Sequence, residues 1–266
     1  ESLHYRGVLP GNTMKLLAVV GSRKYSTYGQ QVVNHLLDGL RGFDIGIVSG
    51  LALGIDSLAH EAALRNNLYT LAVPGSGIDD SVIYPARHKG LARKILEHNG
   101  GLLSEFDPKF TATKWSFAQR NRIMAGIAHA TLVIEATEKS GTLITARLAV
   151  DYNRELLVVP GNIFSSNCAG PHQFLKLGAT PVTCAADILY AVGINPEATQ
   201  QIPLLSSPQE SCTAEEQKVL TLLQEPTETD TLIRMLKLPA HEANALLMQM
   251  EIRGFIASEN NIYRKN

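Results

Sequence analysis

The sequence predicts an α/β protein, a parallel β-sheet wrapped by helices and followed by a small C-terminal winged-helix domain. Three observations carry that expectation. Short apolar runs alternate with amphipathic stretches from Leu16 onward, a segment without periodicity follows at 196–212, and three helical stretches plus two strand-like runs close the chain. With 266 residues, 45% of them hydrophobic and 18% charged, the chain has material for one large domain and one small one.

The strand expectations are Leu16–Val20, Ile45–Ser49, Thr70–Val73, Leu102–Ser104, Thr131–Glu135 and Leu156–Val159. Between them, Gln30–Leu40, Ser57–Asn66, His88–His98, Arg120–Ala128 and Leu143–Tyr152 carry apolar residues at helical spacing. The strands run into Gly21-Ser22, Ser49-Gly50, Pro74-Gly75, Ser104-Glu105, Glu135 and Pro160-Gly161. In an open parallel sheet the ligand lies beyond the carboxyl ends of the strands, so these residues are expected to line one rim. The organisation reads as 1–195 for the sheet domain, 196–212 for a linker and 213–266 for the winged-helix domain. Within the last, Ala214–Gln224, Asp230–Leu236 and Ala240–Arg253 read as helices. A turn at Gly254 leads to strand-like runs at 255–257 and 262–264 on either side of Asn260-Asn261.

Composition narrows the function classes. Cys168, Cys184 and Cys212 lie far apart without metal-ligand spacing, which fits reduced thiols, no bound metal and a cytoplasmic protein. No apolar run approaches the ~18 residues of a membrane span, and residues 1–15 lack the apolar core of a signal peptide. The net charge of -1 does not announce a polyanion binder. Residues 1–200 hold 18 Lys+Arg against 16 Asp+Glu, whereas residues 201–266 hold 6 against 9. An anion site must therefore be local and in the first part, and a broad basic face is excluded.

Four motifs offer such a site. Gly21-Ser22-Arg23-Lys24-Tyr25-Ser26 follows the first strand and opens a helix. Gly21 permits a sharp turn, free amides and the helix dipole attract an anion, Ser22 and Ser26 add hydroxyls, and Arg23 offers a planar fork. The alternative is a plain turn in which a serine caps the helix and Arg23 is solvated. The pattern is neither a G-x-G-x-x-G fingerprint nor a Walker loop, so NAD and ATP gain no support and no cofactor is expected. Ser49-Gly50-Leu51-Ala52-Leu53-Gly54-Ile55-Asp56 builds a second tight turn, with Asp56 as a helix cap or first-turn acid. Arg120-Asn121-Arg122 is expected at a helix start; residues two apart diverge, so one arginine pairs with a carboxylate such as Glu105 or Glu135 while the other faces ligand, or both form ion pairs. Lys139-Ser140-Gly141-Thr142 forms a third hydroxyl-rich amide nest at a helix start. Tyr25, Trp115 and Phe117 are candidates for stacking on bases and equally for the core. His60, His88 and His172 read as structural, and no catalytic triad ordering stands out.

In this order, Gly-Ser-Arg-Lys, Ser-Gly-Leu-Ala-x-Gly-Ile-Asp, Ser-Glu, Arg-Asn-Arg-Ile, Glu-Ala-x-x-Lys-Ser-Gly-Thr-Leu-Ile-Thr-Ala and Val-Pro-Gly resemble the DprA/Smf family of DNA-processing proteins from about Leu3 to Leu189. The resemblance implies an extended Rossmann-like domain, often followed by a winged helix, and sequence-independent binding of single-stranded DNA without catalysis. It implies RecA recombinase as a partner in natural transformation, with a homodimer as the expected assembly. Carried over by motif, Gly21, Ser22, Arg23, Arg120, Asn121, Lys139, Ser140, Gly141 and Thr142 become the phosphate-binding set, to which position adds Lys24, Ser26, Ser49 and Gly50. Gly170-Pro171-His172 departs from the family's Gly-x-Asn, and Ala118 stands where proline is usual. The sequence opens nearly at the Rossmann-like part, downstream of the sterile-alpha-motif-like domain that often precedes it.

The rival reading is a nucleotide or nucleoside monophosphate hydrolase of the lysine-decarboxylase-like (LOG) group, with Glu105 or Glu135 as base. That group's Pro-Gly-Gly-x-Gly-Thr loop is missing here. A pure interaction scaffold is the third class, supported by the acidic C-terminal part. The third helix of that part has no Lys or Arg before Arg253, so the winged helix is not expected to grip DNA.

Overall fold

The computed structural model describes residues 2–196, 214–223, 227–236, 238–252, 255–259 and 262–265. The expected linker falls outside them except for Pro196, as do the turn at Gly254, Asn260-Asn261 and Cys212. The chain divides into two compact units, Glu1–Gln201 and Ile202–Asn266.

The first unit contains β1 (His4–Gly7), β2 (Lys15–Val20), α1 (Thr27–Asp38), β3 (Ile45–Ser49), α2 (Ile55–Arg65), β4 (Tyr69–Ala72), α3 (Lys89–Glu97) and β5 (Gly101–Ser104). It continues with α4 (Lys114–Ile127), β6 (Ala130–Val133), α5 (Thr142–Asp151), β7 (Glu155–Val158), α6 (Ala169–Lys176), β8 (Thr180–Pro181) and α7 (Ala185–Ala191). The sheet order is β1-β5-β4-β3-β2-β6-β7-β8, with every pair parallel except β1 against β5. All six expected strands form. The two edge strands were not legible. β1 is polar and only half-buried, and β8 is two residues long and ends in proline, which a sheet tolerates only at an edge.

The sequence KLLAVV is buried almost throughout because β2 is covered on both faces. Its side chains alternate between two cores. Leu17 and Val19 pack with Val33, Leu36 and Leu37 of α1 and Ile55, Leu58 and Ala62 of α2. Leu16, Ala18 and Val20 pack with Met124 of α4, Leu143 and Ala146 of α5, and Phe174 of α6. A third core joins α3 to the β4–β5 edge through Leu91, Ala92, Ile95, Ala72 and Leu102. This double winding places a topological switch beside β2, between β3 on one side and β6 on the other, and aims the loops after β2, β3, β4 and β6 at one rim.

The second unit runs α8 (Ala214–Leu222), β9 (Thr227–Glu228), α9 (Thr229–Leu236), α10 (Ala240–Ile252), β10 (Ile256–Glu259) and β11 (Ile262–Lys265). Its sheet, in the order β10-β11-β9, is the wing. The core holds Val219, Leu223, Leu232, Leu236, Ala243, Leu247, Met250 and Ile256. The expected helices and hairpin form, and β9 joins them as a third wing strand.

One buried histidine ties stability to pH. His60 of α2 is fully enclosed, its Nδ1 2.7 Å from the Thr70 hydroxyl, and burial pushes its pKa down to about 3. The folded state thus prefers neutral imidazole. The associated stability is complete above the unfolded value near 6.5 and is lost as pH falls from there toward 3, by about 1.4 kcal/mol per unit. Urea titrations at pH 7 and pH 4.5 are expected to show a smaller acid loss for His60→Gln than for the wild type. Equal losses would contradict the assignment.

Candidate functional site

Four rim loops are knitted together by contacts far apart in sequence. Gly21 accepts a hydrogen bond from the Thr142 hydroxyl through its carbonyl at 3.0 Å, joining the β2 loop to the start of α5. The Ser22 carbonyl accepts from Ile55 N at 3.1 Å, joining it to α2. Gly54 makes that approach feasible. Its φ of +90° suits glycine, and a Cβ there would stand 2.3 Å from the Ser22 oxygen. The Asn167 side chain donates to Lys24 O at 3.1 Å and so brings in the loop before α6.

Of the three expected amide nests, two are filled by the protein's own carboxylates. Glu135, 1% exposed at the end of β6, accepts from Ser26 N at 2.9 Å and from the Ser26 hydroxyl. Ser26 caps α1 by accepting from Gly29 N, and a Cβ on Gly29 would strike the Glu135 carboxylate. The start of α1 is therefore occupied, and Ser26 turns its hydroxyl inward. Asp56 closes the second nest by accepting from Gly50 N at 3.1 Å and Ala52 N at 3.4 Å, which brackets Leu51 at φ +56°. It is a buried first-turn acid of α2 with a structural role. Burial raises its pKa, while Arg120, the two amides and Arg23 oppose that rise. Ser49 is likewise committed, its hydroxyl donating to Val19 O at 2.7 Å.

The Arg-Asn-Arg motif sits in the middle of a helix, not at its start. Thr113 caps α4 and forms a capping box with Ser116, so the helix begins six residues earlier at Lys114. Arg122 pairs with Glu105, which Gln119 also contacts at 3.0 Å. Arg120 does not open onto solvent. It is 4% exposed beneath Gly50, donates to Val73 O and, through Nε, to Asn121 Oδ1 at 3.1 Å. A Cβ on Gly50 would meet its guanidinium at 2.1 Å, so only glycine lets that loop lie over it. Burial lowers the Arg120 pKa to about 10, the Asp56 carboxylate counteracts this, and Arg23 adds to it. Arg120 remains a cation at neutral pH.

The third nest and the cations stay outermost. Ser140 accepts from Thr142 N at 3.2 Å and donates to the Thr142 hydroxyl at 2.9 Å, while Lys139 and Gly141 are exposed. Ser22 folds the first loop on itself, its hydroxyl donating to Lys24 O at 2.8 Å and accepting from Lys24 N at 3.1 Å. That turn projects Arg23 and Lys24 to solvent, with the Arg23 guanidinium 5.4 Å from the centre of the Phe117 ring. Gly21, Ser22, Arg23, Gly50, Arg120 and Thr142 therefore converge. Phe117, one of the aromatic candidates, and Asn167, which had no signal of its own in the sequence, lie against this cluster. Beside it, Ser26, Tyr28, Glu135, Gly161, Asn162, Ser165 and Cys168 line a cavity of about 450 Å³. His88 and His172 bond the Leu51 and Gly161 carbonyls, and among the described residues no cluster of metal-ligating side chains occurs.

Glu135 thus organises the rim. Glu135→Ala, which leaves the Ser26 donors unanswered, is expected to cost about 2–3 kcal/mol in urea unfolding. A change within about 0.5 kcal/mol, the usual range for a neutral surface site, would contradict this role.

The DNA recombination-mediator protein A family profile matches residues 1–193, and the DprA winged helix domain profile matches residues 203–260. Protein Smf of Escherichia coli is 35% identical over 246 residues, 91% of this chain and 65% of that protein. The crystal structure of DNA processing protein A from Streptococcus pneumoniae superposes with a TM-score of 0.66 at 39% identity, covering 71% of this chain and 65% of that one. DNA processing protein A from Helicobacter pylori, in a structure that addresses its single-stranded DNA binding mode, gives 0.61 at 29% identity over 71% and 86% of the two chains. The chain therefore spans just under two thirds of the E. coli and S. pneumoniae relatives.

Proposed function

The chain belongs to the DNA recombination-mediator protein A family, the DprA/Smf proteins of DNA processing, and on that premise we propose that it holds single-stranded DNA by its phosphates at the β2–β6 rim. It acts without catalysis or cofactor, in the cytoplasm, as a homodimer that protects incoming DNA and helps load RecA recombinase. The observation that carries this reading is a concentration of like charge. Arg23 lies close enough to Arg120 to depress its pKa, with Lys24 and Lys139 exposed on adjoining loops. The nearby carboxylates Asp56 and Glu135 are buried and bonded to amides, so they do not form ion pairs with the exposed cations. An external anion relieves that arrangement. Arg23 supplies the fork, the exposed Gly141 a helix-start amide, and Arg120 a fixed charge beneath them. Such contacts read no base, which suits sequence-independent binding.

Glu135 argues against the hydrolase reading, because its carboxylate is spent on Ser26 and on the start of α1. Arg23→Ala is expected to lose about 1.5–3 kcal/mol of oligo-dT affinity. Wild-type protein incubated with AMP is expected to release no adenine. Unchanged oligo-dT binding by a folded Arg23→Ala variant, or release of the base, would overturn the assignment.

The winged helix serves another partner. Helix α10 carries no Lys or Arg between Ala240 and Ile252, and Ala243, Leu247 and Met250 are used in its own core. Its exposed face offers Asn244 and Gln249 beside Glu242, a poor match to a duplex. Removing 205–266 is expected to leave oligo-dT affinity within about threefold, under ~1 kcal/mol. A tenfold loss with fold and oligomeric state intact would reverse this view.

A further inference from the structure

We infer that Asn167, a neutral residue at the edge of the nest, positions Lys24 for a phosphate and so helps to set how many phosphates the rim engages. This rests on the single-stranded DNA reading and adds a positioning residue to it.

The loop after β2 carries two of the exposed cations, and its two sides are tied down. Ser22 O accepts from Ile55 N at 3.1 Å, and Ser26 N donates to the Glu135 carboxylate at 2.9 Å. Between those ties Arg23, Lys24 and Tyr25 are all exposed. Arg23 has a further support, since its guanidinium rests 5.4 Å from the centre of the Phe117 ring. Lys24 has none of that kind. Among the described residues no hydrogen bond or ion pair holds its ammonium, so the backbone alone decides where the charge stands.

Asn167 acts on that backbone. The Lys24 carbonyl accepts from the Ser22 hydroxyl at 2.8 Å and from Asn167 Nδ2 at 3.1 Å. The first bond is local and moves with the loop. The second is, among the described residues, the only hydrogen bond that ties the backbone of Arg23 to Tyr25 to another loop. Its other end is anchored in the β6 loop. The Asn167 carbonyl accepts from Ala136 N at 2.7 Å, and Gly170 N donates to Ala136 O at 2.9 Å. A Cβ on Gly170 would stand 2.7 Å from that oxygen, so glycine is needed for the approach. Lys139 follows on the same loop as Ala136 and is exposed. Asn167 is thereby bonded to both loops that bear the outer lysines and holds one against the other. A group placed before its ligand arrives gives up less freedom on binding, which is what a phosphate contact through a long lysine side chain requires.

The test measures oligo-dT binding across a salt series for the wild type, Lys24→Gln, Asn167→Ala and the double variant. Asn167→Leu, close in size to asparagine but without the donor, is expected to match Asn167→Ala. Lys24→Gln and Asn167→Ala are each expected to weaken binding about fivefold, the scale of one lost contact. Each is also expected to flatten the slope of log affinity against log salt by about 0.7, the share of one phosphate of a single strand. A neutral substitution thus removes a phosphate from the count, which a merely structural role would not do. The double variant is expected to bind within about twofold of either single variant, because the two residues act through one contact. A wild-type slope in Asn167→Ala and Asn167→Leu, losses that multiply in the double variant, or unchanged binding by Lys24→Gln overturns the assignment and leaves the phosphate reading standing. Wild-type protein that does not bind oligo-dT overturns both.

Discussion

The rim depends on the burial of one guanidinium. Taking a charge out of water costs several kcal/mol, which is recovered only through close partners. For Arg120 these are the Val73 carbonyl, the Asn121 side chain and the attraction of Asp56. The consequences run outward from there. Asp56 gathers the Gly50 and Ala52 amides, the β3 loop lies flat over the arginine, and Gly50 can be nothing larger than glycine. Gly54 then lets the β2 loop close down, and Arg23 is left above a cation that it repels. The like-charge pair is not an accident of exposure.

This arrangement separates structural anion sites from functional ones. A helix start with free amides binds whatever carboxylate is nearest, and the chain supplies Glu135 to α1 and Asp56 to the Gly50 turn. Such internal caps stabilise the rim and leave those two nests without room for an external anion. The α5 start differs because Ser140 and Thr142 satisfy each other and leave Lys139 and Gly141 facing outward.

Much of the fold was legible because its strands are buried on both faces. Runs such as Leu16–Val20 and Leu156–Val159 are apolar at every position and stand out without any partner being known. β1 did not stand out, since a half-exposed edge strand reading HYRG carries no such signal, and neither did α6 and α7, which lack long apolar periodicity. The start of α4 was placed too late because the capping box of Thr113 and Ser116 lacks an acidic residue. In the site, the closeness of Gly21, Arg23 and Thr142 was readable from strand-end position, whereas Arg120 came from the motif alone and sits in the middle of α4. What each side chain touches was not. Ser26 and Glu135 are 109 residues apart, and only the parallel pairing of β2 with β6 makes them neighbours.

A net charge of -1 is compatible with the proposed polyanion site because the relevant field is local. Charges beyond about 8–10 Å are screened at physiological ionic strength, so acids on the far face of the sheet domain do little to an anion at the proposed site. The same screening limits what one rim can achieve. Arg23, Lys24 and Lys139, with Arg120 behind them, are four cations, so the proposed site has charge for only a few phosphates. A small local site works on a long strand only by being repeated along it, where linked contacts raise the effective concentration of the next. The homodimer proposed above supplies one such repetition.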